Sequence, residues 1–260
     1  MAGQVRSETH GPVGWIIFDH PERRNAISAE MWRAIPERVH ELERDPAVRV
    51  LVIRGAGDVA FVSGADISEF EQSRSGVGAE DYDASNARAI GALAFCTKPV
   101  IALIHGFCVG GGCAIALAAD LRYAAGDAVF AIPAARLGLG YGAAGLELLV
   151  HTVGMANAKE IFFTARRFTA DEAHHMGLVN RVVPKAELEA YVTRTADEIA
   201  ANAPLTVGSA KLILRELMKD AAGRDHEAIT RSIRACYASA DYAEGVRAFL
   251  EKRKPRFEGR

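Results

Sequence analysis

An α/β fold with a helical C-terminal region is predicted by three observations on this 260-residue chain. Short apolar runs alternate with helical periodicity up to Pro184, glycine-rich turns close several of those runs, and beyond Pro184 only helical patterns remain. Alternation of strand and helix favours a mainly parallel sheet covered by helices. The chain therefore divides into an α/β region, 1–184, and a helical region, 185–260.

The first strand signal is the apolar run Val13–Phe18, ended by Asp19, His20 and Pro21; the second is Arg49–Arg54, ended by Gly55, Ala56 and Gly57. Between them Ala29–Arg44 has a helical period. Met31, Ile35, Val39 and Leu42 recur three or four residues apart, with Glu30, Arg33, Glu37 and Arg38 on other faces and Pro36 as the expected kink. The unit then repeats in kind: a helix over Glu80–Phe95, a strand over Pro99–Ile104, and a glycine turn into a helix over Cys113–Ala119. The charged stretch Gln72–Asp83, with Ser73, Ser75, Gly76 and Gly78, has the composition of a mobile loop. Thr169 and Glu172 have the spacing of a capping box, opening a short helix that Gly177 stops. Leu188–Ala201, Val207–Leu217 and Ala228–Ala238 are helical, and a charged segment, Phe249–Phe257, follows.

Half of the residues are apolar, enough for a sizeable core. Lysine and arginine number 31 against 33 acids, a formal charge of −2, so the overall balance offers no attraction to nucleic acid or an anionic membrane. Cys96, Cys108, Cys113 and Cys236 lack zinc spacing and disulfide density, which favours a reducing cytoplasm. The polar start around Glu8 and His10 does not read as a signal peptide, and no 18-residue apolar run occurs. No metal site is expected: His174 and His175 are adjacent and so point to different helix faces. His105, at the end of a buried strand, is assigned no role.

Two segments carry chemistry. Gly106–Asp120, with Gly110, Gly111 and Gly112, follows a strand and opens an apolar helix, so that backbone N–H groups at a positive helix end can face an anion. Three glycines also serve close packing, and the segment needs a partner. Ala60–Ile67 lies just beyond the second strand, at the carboxyl edge where ligands of open parallel sheets sit.

Together the pair resembles the signature of the enoyl-CoA hydratase/isomerase, or crotonase, family. Phe61, Ser63, Gly64, Ala65 and Asp66 are similar to its Phe-x-Ala-Gly-Ala-Asp turn, with Ser63 in place of an alanine, and Gly110–Gly112 to its glycine turn. The resemblance extends through His20–Ile27, Pro99–Ala102, Ile161–Ala165, Gly177–Val183 and Phe249–Lys254. It implies a spiral of ββα units, a C-terminal trimerisation region, trimers or dimers of trimers, and chemistry on an acyl-CoA thioester through a stabilised enolate. Coenzyme A would enter as part of the substrate, with no prosthetic group. Carried over, the oxyanion donors are the N–H groups of Ser63 and Gly111. The nucleotide would run past Glu22, Arg23 and Arg24 and the Ala65, Asp66 and Ile67 turn, with Lys252 or Lys254 reaching phosphates.

The pattern departs from the family where a hydratase carries two glutamates: this chain has Ala114 and Ala134. Alanine neither accepts nor gives a proton, so hydration or isomerisation through those groups is excluded. Tyr141 stands in the loop facing the acyl group, and its surroundings, with Asp241–Gly245, resemble a methylmalonyl-CoA decarboxylase-like branch. Decarboxylation of a malonyl-type thioester leaves the same enolate and needs less proton machinery. Against that branch, Ala65 stands where it has histidine. An atypical hydratase using other acids, such as Glu69 or Glu147, and a non-catalytic thioester binder are the alternatives. Gly140, Gly142 and Gly145 also match a dinucleotide fingerprint, but without a clear strand before it.

Overall fold

The computed structural model describes residues 3–66 and 77–260, the side chains of 77–80 excepted. Ile67 and Glu69 lie outside the described residues, as does the first part of the expected mobile loop, Gln72–Gly76. The remainder of that loop belongs to a helix.

The chain opens with β1 (Gln4–His10), which pairs antiparallel with β2 (Val13–Asp19). Gly11, at φ 58°, supplies the left-handed turn between them. Helix α1 (Ala29–Arg44) follows, its N-terminus capped by the Ser28 side chain, and continues through Pro36 as one helix. Then come β3 (Val50–Gly55), β4 (Ala60–Val62), α2 (Val77–Phe95), β5 (Val100–Ile104), β6 (Phe107–Val109) and α3 (Gly111–Ala118). Next are β7 (Leu121–Ala125), β8 (Val129–Ala131), α4 (Ala143–Thr164), β9 (Phe168–Thr169), α5 (Ala170–His175) and β10 (Arg181–Val183). The chain ends with α6 (Lys185–Ala200), α7 (Pro204–Leu217), α8 (His226–Tyr237) and α9 (Ala240–Leu250).

These elements wind as ββα units. In each pair β3/β4, β5/β6 and β7/β8, the first strand enters a six-stranded sheet, ordered β1-β2-β3-β5-β7-β10, and the second enters a smaller one, ordered β4-β6-β8-β9. The larger sheet is parallel except at β1. Strands β2, β3, β5 and β7 are buried on both faces, which is why they read as continuous apolar runs. Ile16, Phe18, Leu51 and Ile53 join the main core with Met31, Ile35 and Val39 of α1. Trp15, Val50, Val52, Ile101 and Leu103 face the opposite way, against Leu188, Val192 and Ala196 of α6. Full burial of each such side chain stabilises by roughly 1.5–3 kcal/mol.

Helix α6 is therefore part of the α/β layer structure, and the helices outside it begin at Pro204, later than the expected boundary at 184. Helices α7 to α9 carry few buried residues and show apolar side chains to solvent: Leu214, Tyr237, Phe249 and Leu250 are 64%, 66%, 83% and 75% exposed. The final residues fold back: Arg49 donates to the Phe257 carbonyl at 2.6 Å, and the buried Asp241 carboxylate accepts from the N–H groups of Glu258 and Gly259. The capping box at Thr169 and Glu172 forms as expected, and Gly177, at φ 78°, ends that turn. No helix among the described residues is long and apolar enough to cross a membrane.

Candidate active site

The two glycine-bearing turns predicted to cooperate are brought together by the smaller sheet. Strands β4 and β6 are parallel neighbours, with Val62 opposite Cys108, and each runs directly into one of the turns. A Cβ built on Gly110 would lie 3.9 Å from the Gly64 Cα, and one on Gly64 would lie 3.3 Å from the Val109 carbonyl oxygen. One on Gly112 would approach the Val62 carbonyl oxygen to 2.2 Å, so only glycine fits there. Gly64 and Gly110, at φ 116° and 54°, adopt backbone conformations that other residues rarely reach.

The backbone donors are mostly spoken for. The Ser63 N–H donates to the Arg24 carbonyl at 3.1 Å, and the Ser63 hydroxyl donates to the Arg23 carbonyl. The expectation that the Ser63 N–H faces the substrate therefore fails on a hydrogen bond already made. Ile27 forms a parallel bridge with Ala65 through Gly64 O and Asp66 N. Alternation along an extended segment then turns the Ala65 N–H to the other side, where no described residue accepts it. Gly111 is the first residue of α3, so its N–H has no partner within the helix and none among the other described residues. The Ala65 nitrogen lies 3.7 Å from the point a Gly111 Cβ would occupy. Two free donors thus stand close together, one of them at the positive end of a helix.

The surroundings hold these donors. The Cys113 thiol donates to the Cys108 carbonyl at 3.0 Å, tying the first turn of α3 to β6. At the other end of α3, the buried Arg122 guanidinium donates to the Ala119 carbonyl at 2.6 Å and to Leu178 O at 2.8 Å, a cation at a helix C-terminus. Trp32, fully buried on α1, has its ring edge 3.0 Å from the Gly111 Cβ position and donates its Nε1–H to the Tyr82 hydroxyl at 2.9 Å.

The turn expected to take the nucleotide is strained and braced. Arg24 and Asn25 both have positive φ, 52° and 55°. The buried Asn25 side chain offsets this: it accepts from the His20 N–H at 3.0 Å and donates to the carbonyls of Ala56 and Ala60 at 2.9 and 2.7 Å. Glu22, Arg23 and Arg24 are exposed. Arg23 pairs with the buried Asp66 carboxylate at 3.3 Å, whereas Arg24 lies over the Phe107 ring, 4.8 Å from its centre, and Arg167 lies 5.9 Å from the centre of the same ring. Arg24 forms no ion pair among the described residues. Lys252 and Lys254 are exposed just past α9 and make no hydrogen bond or ion pair through their ammonium groups with residues 22–24 or Asp66.

Ala134 is 2% exposed, in a 3-10 turn over Pro133–Arg136, and its carbonyl accepts from the Leu137 and Leu139 N–H groups. Ala114 follows Gly111 by one helical turn and is half-buried. Both side chains are methyl groups, which neither accept nor give a proton. Tyr141 is half-buried, its ring edge-on to Phe162 on α4 at 5.3 Å. The run Gly140, Gly142 and Gly145 follows that 3-10 turn instead of a strand, so it lacks the dinucleotide-binding context.

His105 is 4% exposed, and neither ring nitrogen meets a hydrogen-bond partner of good geometry among the described residues. Burial first, then the Arg54 charge, pushes its pKa below the usual histidine value, with the Gly55 carbonyl opposing through a loose polar contact. His174 and His175 each bond a backbone carbonyl within their own segment. Among the described residues no three His, Cys, Asp or Glu side chains converge as a metal site would require.

Sequence reasoning missed the free Ala65 N–H, the Asn25 brace and the Trp32 ring beside Gly111. The parity of an extended segment pointed to Ala65, once its pairing with Ile27 was known. Asn25 left only the weak signal of an asparagine in a turn after proline.

Residues 8–260 match the family model described as enoyl-CoA hydratase/isomerase. The chain is 37% identical over 242 residues to the crotonyl-CoA hydratase of Syntrophomonas wolfei subsp. wolfei, covering 93% of each chain. It is 37% identical over 271 residues to the peroxisomal Delta(3,5)-Delta(2,4)-dienoyl-CoA isomerase of Arabidopsis thaliana, covering 97% of this chain and 95% of that one. The crystal structure of an enoyl-CoA hydratase/carnithine racemase from Magnetospirillum magneticum superimposes with a TM-score of 0.94 at 35% identity, over 98% of this chain and 96% of that one. Whole-length matching in sequence and in three dimensions, around the paired turns described above, makes this chain a member of the enoyl-CoA hydratase/isomerase, or crotonase, family.

Proposed function

We propose that the protein converts an acyl-CoA thioester through an enolate whose oxygen is held by the N–H groups of Ala65 and Gly111. The observation that carries this reading is the convergence of those two unpartnered donors, with the Ala65 nitrogen 3.7 Å from the Gly111 Cβ position. Donors fixed before the reaction stabilise developing charge without reorganising. Ser63, expected as the first donor, serves instead to anchor the turn against Arg24.

With methyl groups at 114 and 134, neither position offers a carboxylate to hold and activate water. Loss of carbon dioxide from a malonyl-type thioester suits such a wall. The bond between the α-carbon and the carboxylate breaks, its electrons pass into the thioester to form the enolate, carbon dioxide leaves, and a solvent proton later quenches the α-carbon. Tyr141, whose ring is fixed by Phe162, is the group proposed to orient the departing carboxylate. The similarity to a crotonyl-CoA hydratase favours a second reading, hydration by acids outside the usual pair. The thioester acidifies its own α-carbon, so neither reaction calls for a prosthetic group.

For the CoA nucleotide, Arg24 is the stronger phosphate ligand of the two arginines, because the charge of Arg23 is already met by Asp66. Glu22 contributes backbone, and Asp66 holds the turn. Lys252 and Lys254, exposed just past α9, are the lysines proposed to reach phosphates. The exposed apolar faces of α7 to α9 are of the kind that self-association buries, and we assign them to a trimer or a dimer of trimers.

Incubation with a panel of malonyl-, methylmalonyl-, crotonyl- and β,γ-enoyl-CoA, followed by mass spectrometry, separates the readings. Loss of carbon dioxide from a malonyl-type ester supports the first, and gain of water by crotonyl-CoA supports the second. Tight binding with no conversion of any ester would leave a thioester binder and sink both.

A further inference from the structure

We propose that Trp32 and Tyr82 form a positioning pair that sets where the Gly111 N–H stands, so that one hydrogen bond between helices α1 and α2 tunes the oxyanion site. The inference rests on the acyl-CoA reading above.

Trp32 is fully buried on the first turn of α1, and Tyr82, on α2, is 5% exposed. A buried indole normally directs its N–H to a partner, and here that partner is the Tyr82 hydroxyl at 2.9 Å. The benzo edge of the same indole, next to that N–H, is the contact that matters. Its Cζ2 and Cη2 atoms lie 3.0 and 3.5 Å from the point where a Cβ on Gly111 would be, and the Ala65 nitrogen lies 3.7 Å from that point. The ring therefore abuts the place where both donors meet.

Gly111 has no side chain with which to fix itself. Its position depends on the backbone turn around it and on the surface it rests against, and that surface is Trp32. Loss of the Tyr82 bond releases the indole to tilt in its plane by a few tenths of an ångström. An oxyanion donor works over a narrow range of distance, about 2.7–3.1 Å from the oxygen, so a shift of that size is felt at the enolate. Met31 and Ile35, neighbours on the same helix face, pack into the main core and have no polar atom with which to transmit such a constraint.

The test uses acetoacetyl-CoA, whose bound enolate is read by near-ultraviolet absorbance as a function of pH. Tyr82→Phe removes only the hydroxyl, whereas Trp32→Phe removes the donor together with the benzo edge that meets Gly111. Tyr82→Phe is expected to lower the enolisation constant of the bound ligand about three- to tenfold, the span of one hydrogen bond, and Trp32→Phe at least as much, while affinity for free CoA is retained. The double variant should be no worse than the poorer single one, since both changes break the same bond. Enolisation unchanged in both single variants, whatever happens to their thermal stability, overturns the proposal, as does full additivity in the double. If the wild-type protein binds acetoacetyl-CoA but does not promote its enolate, the oxyanion reading itself has failed, and the pair with it.

Discussion

Replacing Gly111 by proline removes the proposed donor with little damage to the fold, because proline is favoured at the first position of a helix. Gly111 occupies that position in α3. The residue before it, Gly110, has φ 54° and ψ −112°, away from the α region that a following proline disfavours, and it carries no Cβ to clash with the ring. The steric penalty is a Cβ placed 3.0 Å from the Trp32 ring, and Gly111→Ala carries the same penalty while keeping the N–H. The difference between the two variants therefore isolates the donor. Deleting one oxyanion donor typically costs about 2.7–4 kcal/mol, which corresponds to a rise of about two to three units in the pKa of bound acetoacetyl-CoA at 1.36 kcal/mol per unit. Spectrophotometric titration of the bound ligand measures this directly and needs no knowledge of the natural substrate. If the proline and alanine variants titrate within half a unit of one another, by the same roughly 1.36 kcal/mol conversion, the Gly111 N–H is not an oxyanion donor.

Other consequences can be checked separately. Gly112→Ala forces a Cβ to within 2.2 Å of the Val62 carbonyl, and overpacking of this kind destabilises by about 1–3 kcal/mol, which thermal unfolding detects as a fall of roughly 2–4 °C per kcal/mol. The lowered pKa of His105 means that the unfolded chain binds its proton first. That part of the stability is complete above the ordinary value of 6.5 and declines as the pH falls below it, and His105→Gln should flatten this slope in urea unfolding. Glu244 is held at about 2, first by its side-chain bonds to Arg253 and then by the Arg256 N–H. Its stabilising effect should survive below pH 4.5 and fade toward pH 2, and Glu244→Gln should expose the C-terminal tail to limited proteolysis at neutral pH. Introducing Ala114→Glu with Ala134→Glu should raise crotonyl-CoA hydration by about 10²–10⁴-fold if the missing acids are what limits it. An unchanged rate would point to acids elsewhere.

The strands of the large sheet were legible because two-sided burial writes an apolar run into the sequence, as at Val13–Phe18 and Val100–Ile104. Helix α1 was legible because only one of its faces is buried. Strands β6, β8 and β10 were not, being three residues long and too short to show a period. Strand β1 was hidden by its polar composition, since it lies at the sheet edge with much of it outside the core. At the site, the meeting of the two turns was readable from glycines and from whole-chain resemblance. Which N–H is free was not, because that depends on which carbonyl each one meets. Ser63 differs from Ala65 in this respect only through the packing of Arg24 and Ile27 beside them.

The small sheet acts as a ruler. Val62 lies opposite Cys108 across β4 and β6, and three residues further along each chain stand Ala65 and Gly111. The gap between the donors is thus inherited from the spacing of neighbouring strands, about 4.7–4.9 Å, and not from any side chain. Side chains around such a gauge, those at 114 and 134 among them, can be exchanged while the spacing of the two backbone N–H groups stays the same.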